Sequence, residues 1–275
     1  MSRRAEEYAA QVLRREELSD HFVRLTLGGE GLAGFASTGI PDEWVGLVVP
    51  GQFQSRYYTV RSWSGPSTGS GQAAELVLDV VVHEVGLVTE WALGRAGDPV
   101  GQTVTITEPK GSFALPEDAG WLQLVGDLTA MPAMARIAET YADRLPVRIH
   151  AEVPDDPETL AGYLPGDRAD VEISWVQGHG DGLAAAVDQV QLPEGTGYFW
   201  MAGESAQMRA IRKHLMREVR MPSSHYDVMG YWRAVKERQL RAVDPGPIWR
   251  AGKAAGKSDD EIWADYDAAR AGAEQ

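Results

Sequence analysis

The chain has 275 residues, a formal net charge of −14, 44% hydrophobic residues and no cysteine. That acidic balance excludes a binder of phosphate backbones, which needs a basic face. The missing cysteine excludes disulfides, thiolate metal sites and cysteine-held iron–sulfur clusters.

The length favours two domains, and nine Trp with nine Tyr can fill a sizeable core. Met1-Ser2-Arg3-Arg4 leads into polar residues, so no secretory signal is expected, and no apolar run reaches the length of a membrane span. Together with the absent cysteines this reads as a cytoplasmic protein without membrane or nucleic-acid partners. His21, His83, His150, His179, His214 and His225 include no pair at helical ligand spacing, and no metal site is expected.

The first part of the chain is strand-like. Gln11–Leu18, Phe22–Leu27, Trp44–Val49, Tyr57–Trp63, Leu76–His83 and Thr103–Thr107 are short runs rich in Val, Leu, Tyr and Thr. Gly28-Gly29, Pro50-Gly51 and the Gly/Ser/Pro cluster of 64–71 punctuate them, and one helical stretch covers Val88–Arg95. This pattern predicts a six-stranded antiparallel β-barrel over residues 1–118.

After Pro116 strands and helices alternate. Strands are predicted at Trp121–Val125, Val147–Val153, Val171–Val176, Tyr198–Ala202 and Tyr226–Met229, with helices at Ala133–Ala142, Leu183–Val190 and Ala206–Val219. Such alternation predicts a Rossmann-like parallel α/β domain over 119–236, with ligands at the carboxyl ends of the strands. Arg209 and Arg212 read as a solvated helix face. Gly203-Glu204-Ser205-Ala206 has Gln207 where a nucleophile elbow needs its second glycine, so a hydrolase is not favoured.

A tail over 237–275 is broken by Asp244-Pro245-Gly246-Pro247. Ser258-Asp259-Asp260-Glu261 then forms a capping box for a last helix, whose Ile262, Trp263, Tyr266 and Ala269 share a face suited to docking.

The most informative segment is Arg56-Tyr57-Tyr58-Thr59-Val60-Arg61. The Arg56 guanidinium can fork onto a pyrophosphate, Tyr58 offers an aromatic face for a flavin ring, and Thr59 can hydrogen-bond its polar edge. On an ideal strand Arg56 and Tyr58 share a face and Thr59 does not.

The order of barrel, Arg-x-Tyr-Thr strand and parallel α/β domain resembles the ferredoxin reductase-like superfamily. Within it, four segments over residues 10–236 resemble the siderophore-interacting protein family of FAD-dependent ferric-siderophore reductases. They are Arg56–Arg61; Asp79–His83 with Gly86 and Trp91; Gly126-Asp127-Leu128-Thr129-Ala130-Met131-Pro132-Ala133; and Met201–Ser205 followed by Gly230-Tyr231-Trp232-Arg233. The chain departs from the family pattern at Glu84, Leu87, Val88, Thr89 and Leu128, and at Ala234, where the family continues with glycine.

The resemblance assigns FAD to Arg56, Tyr58, Thr59, Val60, Arg61, Val81, Val82, His83, Gly86, Val88, Thr89, Trp91, Thr129 and Trp232. It assigns NAD(P)H to Gly126, Asp127, Thr129, Ala130, Met131, Pro132, Glu152, Gly203, Glu204 and Ser205. Glu152, at a strand end, would accept from a ribose 2′-hydroxyl and repel a 2′-phosphate, which favours NADH. Lys110, Arg233 and Lys236 are the expected basic cluster for an anionic ferric siderophore on this acidic chain. The implied activity carries electrons from NAD(P)H through FAD to siderophore-bound Fe(III) and releases Fe(II), which hard oxygen donors hold far less well. No acid–base residue is required at the iron. The alternatives are a flavin reductase that serves ferredoxin or free flavin, and a non-catalytic siderophore or flavin carrier.

Overall fold

The structure is a computed structural model that describes residues 6–52, 54–66, 73–82 and 86–233, and beyond them 251, 255, 257, 258, 261 and 265. The first half holds β1 (Glu7–Ser19), β2 (Phe22–Gly28), β3 (Trp44–Val48), β4 (Arg56–Ser64), β5 (Glu75–Val81) and β6 (Thr103–Thr107). They close into a barrel in the order β1-β2-β5-β4-β3-β6, with antiparallel neighbours. The period of two explains the closure: Leu25, Leu27, Leu47, Leu76, Leu78 and Ile106 turn inward and are fully buried. Burial of each such side chain is worth about 1.5–3 kcal/mol. A short helix, α1 (Leu87–Ala92), follows β5 after Gly86, whose φ of 156° is a backbone state that favours glycine.

The second half alternates β7 (Leu122–Asp127), α2 (Met131–Tyr141), β8 (Val147–Val153), β9 (Val171–Gln177), α3 (Leu183–Gln189), β10 (Tyr198–Glu204), α4 (Ser205–His214) and β11 (Tyr226–Trp232). The strands form one parallel sheet in the order β11-β10-β7-β8-β9. β7 and β10 are buried along their whole length, which is why they read as unbroken apolar runs. The chain steps outward from β7 to β9 and then returns to β10. The topological switch point therefore lies between the carboxyl ends of β7 and β10.

In the parallel sheet β7, β10 and β11 run two or three residues past their predicted ends, to Asp127, Glu204 and Trp232, because pairing persists at Asp127↔Glu152, Gly203↔Gly230 and Glu204↔Trp232. The motif residues thus sit on paired strand ends rather than in loops. The helix expected over Ala206–Val219 is α-helical only to His214. Leu215–Val219 form a π-helical turn that ends at Arg220 with φ 57°. Arg212 lies close to solvent yet donates to the Val228 carbonyl, so it pins α4 to β11 rather than only facing water.

The two halves are joined by a reciprocal pair of contacts on α2. Arg136 donates through Nη1 to the Val60 carbonyl of β4 at 2.7 Å and through both terminal nitrogens to Glu43 Oε1 at 3.2 Å. Arg61 of β4 forks onto Glu139, one turn along α2, at 2.6 and 3.1 Å. Beside them Tyr163 donates to Asp79, which also takes a fork from Arg24 at 2.8 Å on each oxygen. Arg24 and Arg61 lie 5.7 and 5.3 Å from the Tyr163 ring centre.

Residues to Arg233 form one compact unit, and Ala234–Gln275 form a second. In the second, Glu261 Oε2 accepts from the Ser258 amide and hydroxyl at 2.8 Å each, and Ser258 Oγ accepts from the Glu261 amide at 3.4 Å. This is the reciprocal capping box read from the sequence. His83 and Lys236, with Ile262, Trp263, Tyr266 and Ala269, fall outside the described residues.

Glu43 is fully buried, and Arg136 supplies its counter-charge. Arg136→Met should therefore cost about 3–5 kcal/mol, because it strands a buried carboxylate. Urea unfolding followed by far-UV circular dichroism reads that loss as a lowered midpoint.

Candidate functional site

The barrel contributes the rim formed by β4. Its register sets Arg56 opposite Leu47 and Tyr58 opposite Val45, both core residues, so Tyr58 lies half-buried against the edge of the barrel core. Burial pushes the Tyr58 hydroxyl up to about 12, with the neighbouring Arg56 charge pulling the other way. Arg56 itself is exposed and has no ion-pair partner among the described residues. Thr59 and Arg61 occupy the opposite face, as the alternation requires. A bulge follows between Val60 and Ser62.

That opposite face looks onto the α/β half. Thr59 is buried and faces the Tyr231 hydroxyl at the end of β11. The Tyr231 hydroxyl is also buried and closes no full hydrogen bond among the described residues, and burial, opposed by the nearby Thr59 hydroxyl, holds its pKa well above the usual range. Arg61 is taken up by Glu139 and does not share the solvent-facing rim with Arg56. Its guanidinium is spent on joining the halves. Tyr57, to which the sequence analysis gave no role, is 70% exposed at the same rim. Nothing in a one-residue gap of a motif marks it beforehand.

Around α1, Val81 and Val82 are half-buried, while Val88, Thr89 and Trp91 are buried. The Trp91 indole donates to Gln102 Oε1 at 2.9 Å, so its polar edge is already committed within the barrel. Gly86 opens α1 with no side-chain cap among the described residues.

The α/β half contributes three neighbouring strand ends. Asp127 closes β7 and caps the turn into α2: its Oδ1 accepts from the Thr129 amide at 2.9 Å and the Thr129 hydroxyl at 2.5 Å. Its Oδ2 accepts from the Trp232 indole at 2.6 Å. Burial, opposed by the Thr129 and Trp232 bonds, raises the Asp127 carboxyl to about 6. Gly126, Leu128, Ala130, Met131 and Pro132 are buried, which leaves Thr129 as the half-exposed side chain of this turn. Gly126 is forced, since a Cβ there would fall 2.4 Å from Ala130 Cβ. At the end of β10, Glu204 accepts from the Ala206 amide at 2.6 Å and the Gln207 amide at 3.3 Å, so it caps α4. Ser205 donates to the Trp232 carbonyl at 2.6 Å.

Glu152 departs from its expected role. It is buried, and its carboxylate accepts from the Gly180 amide at 2.7 Å and the Gly182 amide at 3.4 Å. The segment Gly178-His179-Gly180-Asp181-Gly182 folds over it. A Cβ at Gly178 would fall 2.4 Å from Glu152 Oε1. Gln207 fastens the same loop by donating to the Gly180 carbonyl and accepting from the Ala184 amide at 2.8 Å. Both amide bonds fall on Oε1 of a carboxylate buried beneath the loop. The sequence analysis missed this loop. Three glycines at alternate positions between a strand and a helix were the available signal.

Among the expected basic residues, Lys110 and Arg233 are exposed. Lys110 bridges through its backbone to Trp44, which pairs with Thr59, and Arg233 lies two residues past Tyr231. Both therefore flank the Thr59–Tyr231 meeting point. Ser112, two residues past Lys110, has its hydroxyl within 2.8 Å of Asp227 and 3.0 Å of Asp42, which ties the barrel to β11. A cavity of about 830 Å³ is lined by Arg61, Glu139, Tyr163, Arg168, Ile173 and Trp175, and so lies apart from the strand ends. It exists because the link from β8 to β9 carries only a 3₁₀ turn, Pro157–Leu160, which leaves one face of β9 uncovered.

Comparison with known proteins follows this geometry. Residues 119–235 match the family model described as siderophore-interacting protein. The NADPH-dependent ferric-chelate reductase of Escherichia coli is 29% identical over 239 residues, covering 81% of this chain and 91% of that protein. The mycobactin import ATP-binding/permease protein IrtA of Mycobacterium tuberculosis is 29% identical over 254 residues, covering 88% of this chain. This chain spans only 28% of the length of that transporter. A siderophore utilization protein from T. fusca superposes with a TM-score of 0.69 at 27% identity, covering 84% of this chain and 94% of that one. No helix among the described residues is long and apolar enough to cross a membrane.

Glu152→Ala should leave the Gly180 and Gly182 amides without their acceptor and cost about 1–3 kcal/mol. A lowered urea midpoint, with faster hydrogen exchange at those two amides, is the expected result.

Proposed function

We propose that this chain, whose residues 119–235 match the siderophore-interacting protein family model, is an FAD-dependent reductase moving electrons from NAD(P)H to the Fe(III) of a ferric siderophore. The observation that carries the reading is the meeting of Thr59 with Tyr231, which sets the flavin-type strand of the barrel against the switch point of the parallel sheet. The relatives named for ferric-chelate reduction support a siderophore-related flavin reductase as the broader class.

The residues present fit FAD. Arg56 carries an exposed guanidinium, with no ion-pair partner among the described residues, suited to a pyrophosphate, beside the half-buried ring of Tyr58. The buried Tyr231 and Thr59 hydroxyls offer polar atoms for a ring edge, and the turn at Gly86 offers backbone amides. When bound, FAD supplies the conversion between a two-electron hydride donor and a one-electron ferric acceptor. The protein's part is to hold the partners in line and keep water from their contact.

For the nucleotide, Thr129 and Ser205 are the proposed side chains with free surface at the switch point. With Glu152 closed under its loop, both NADH and NADPH remain donors in this proposal, and the Escherichia coli relative is named for NADPH. Lys110 and Arg233 are the proposed cations for the anionic siderophore against the −14 charge of the chain, and Lys236, the third cation expected from the sequence, lies outside the described residues.

The decisive experiment is anaerobic. The FAD-loaded protein should bleach on addition of NADH or NADPH, and then regain its yellow colour as ferric siderophore is added, with Fe(II) trapped by a coloured chelator. Failure of both nucleotides to bleach it would remove NAD(P)H as donor; bleaching without iron release would remove the siderophore.

Arg56→Ala should weaken FAD binding about ten- to a hundredfold through loss of a charge-assisted contact. Isothermal titration with FAD measures it. Turnover with an anionic siderophore should also fall as salt rises, chiefly through KM, since surface attraction is screened over about 8–10 Å. The triple alanine variant at Lys110, Arg233 and Lys236 should flatten that salt response.

A further inference from the structure

Two of the four motif segments meet at one side chain, Asp127. The indole of Trp232, on the last residue of β11, donates to Asp127 Oδ2 at 2.6 Å, while its carbonyl accepts from Ser205 Oγ at 2.6 Å. Trp232 is thus tied to the ends of both β7 and β10. Glycine keeps the space for this arrangement. A Cβ at Gly180 or at Gly203 would fall 2.8 Å from Asp127 Oδ2, and one at Gly230 would fall 2.4 Å from Ser205 Oγ. A capping aspartate needs none of this, because Oδ1 alone serves the turn into α2.

We propose that Asp127 is a positioning residue whose Oδ2 holds the Trp232 indole across the carboxyl end of β7, where flavin and nucleotide would meet. The purpose of this latch rests on the reductase reading; the existence of the latch does not.

The chemistry requires an ionised carboxylate. Oδ1 faces a backbone N–H and Oδ2 faces an indole N–H, and both are donors that cannot reverse. A protonated acid or an amide converts one oxygen site into a donor and opposes it to one of those groups. Burial is the largest influence on the Asp127 carboxyl and raises it to about 6, with Glu152 on β8 adding to the rise. Tyr231 on β11 also faces it, Glu204 on β10 is turned onto the α4 amides, and His179 and Asp181 on the covering loop are exposed. The latch is therefore closed above that pH and released as pH falls through it. The sign for stability is opposite: a raised carboxyl pKa means the folded chain holds this proton more tightly, so this group lowers stability as pH rises toward neutrality.

The test uses the flavin-free full chain. Acrylamide quenching of indole fluorescence is followed from about pH 8 to about pH 5, with Trp232→Phe subtracted to isolate the one indole. The difference signal should change with a midpoint near 6. Asp127→Asn should show at high pH the quenching that the native chain shows only at low pH, with the pinned population reduced about ten- to a hundredfold. Gly203→Ala, which displaces Oδ2, should give the same result by a different route. The native titration itself depends on no variant at Asp127. A transition that survives in Trp232→Phe, or an Asp127→Asn chain indistinguishable from native at every pH, overturns the proposal. Flavin titration of the same preparations separates the two readings. A transition without flavin binding removes the reductase and keeps the latch. Flavin binding without a transition removes the latch and keeps the reductase.

Discussion

Arg136 carries the constraint on which the rest of the molecule depends. It leaves α2, reaches out of the α/β half, and satisfies a buried carboxylate and a strand carbonyl in the barrel at once. Glu43 would otherwise be a fully buried carboxylate without a counter-charge, a cost of several kcal/mol. Arg61 answers from the other side by reaching back to Glu139. Two oppositely directed ion pairs, one helical turn apart, resist sliding better than either does alone, because a shift that shortens one lengthens the other. That fixes β4 against α2, and α2 begins at the carboxyl end of β7. The rim of the barrel and the switch point of the sheet are thereby held in one relation.

The same economy of partners governs the strand ends. Asp127, Glu152 and Glu204 stand side by side at the ends of β7, β8 and β10, a grouping that would repel itself in a bare cleft. Each is neutralised by donors the fold supplies: an indole and a turn for Asp127, loop amides for Glu152, and the first amides of α4 for Glu204. Backbone donors do this without adding a cation, so the surface left at the switch point is small, polar and uncharged. Thr129 and Ser205 are the partly exposed side chains there, rather than three open carboxylates.

The acidic balance of the chain shapes the rest. Most arginines at the seam are spent: Arg24 on Asp79, Arg61 on Glu139, Arg136 on Glu43. Arg56 at the barrel rim has no ion-pair partner among the described residues, and Lys110 and Arg233 are exposed. Exposed cations on an otherwise negative surface are where an anionic ligand finds its lowest potential, and Lys110 and Arg233 border the Thr59–Tyr231 meeting point.

The sequence by itself determined the local patterns. Period-two runs marked the six barrel strands, apolar runs alternating with amphipathic helices marked the parallel sheet, and Ser258–Glu261 marked a capping box. All of these are written within a few residues of one another, because pleat, helix period and cap are short-range geometries. The Arg56–Arg61 motif was legible for the same reason, down to Thr59 facing away from Tyr58. Which partner each polar side chain takes was decided only by tertiary structure. Arg61 turned to α2, Glu152 disappeared beneath the 178–182 loop, Ala130, Met131 and Pro132 went into the core, and Asp127 took the indole of Trp232. Asp127 and Trp232 are far apart in the chain and meet because β10 lies between β7 and β11. Strand order is a property of the whole packed sheet, and no window of sequence contains it.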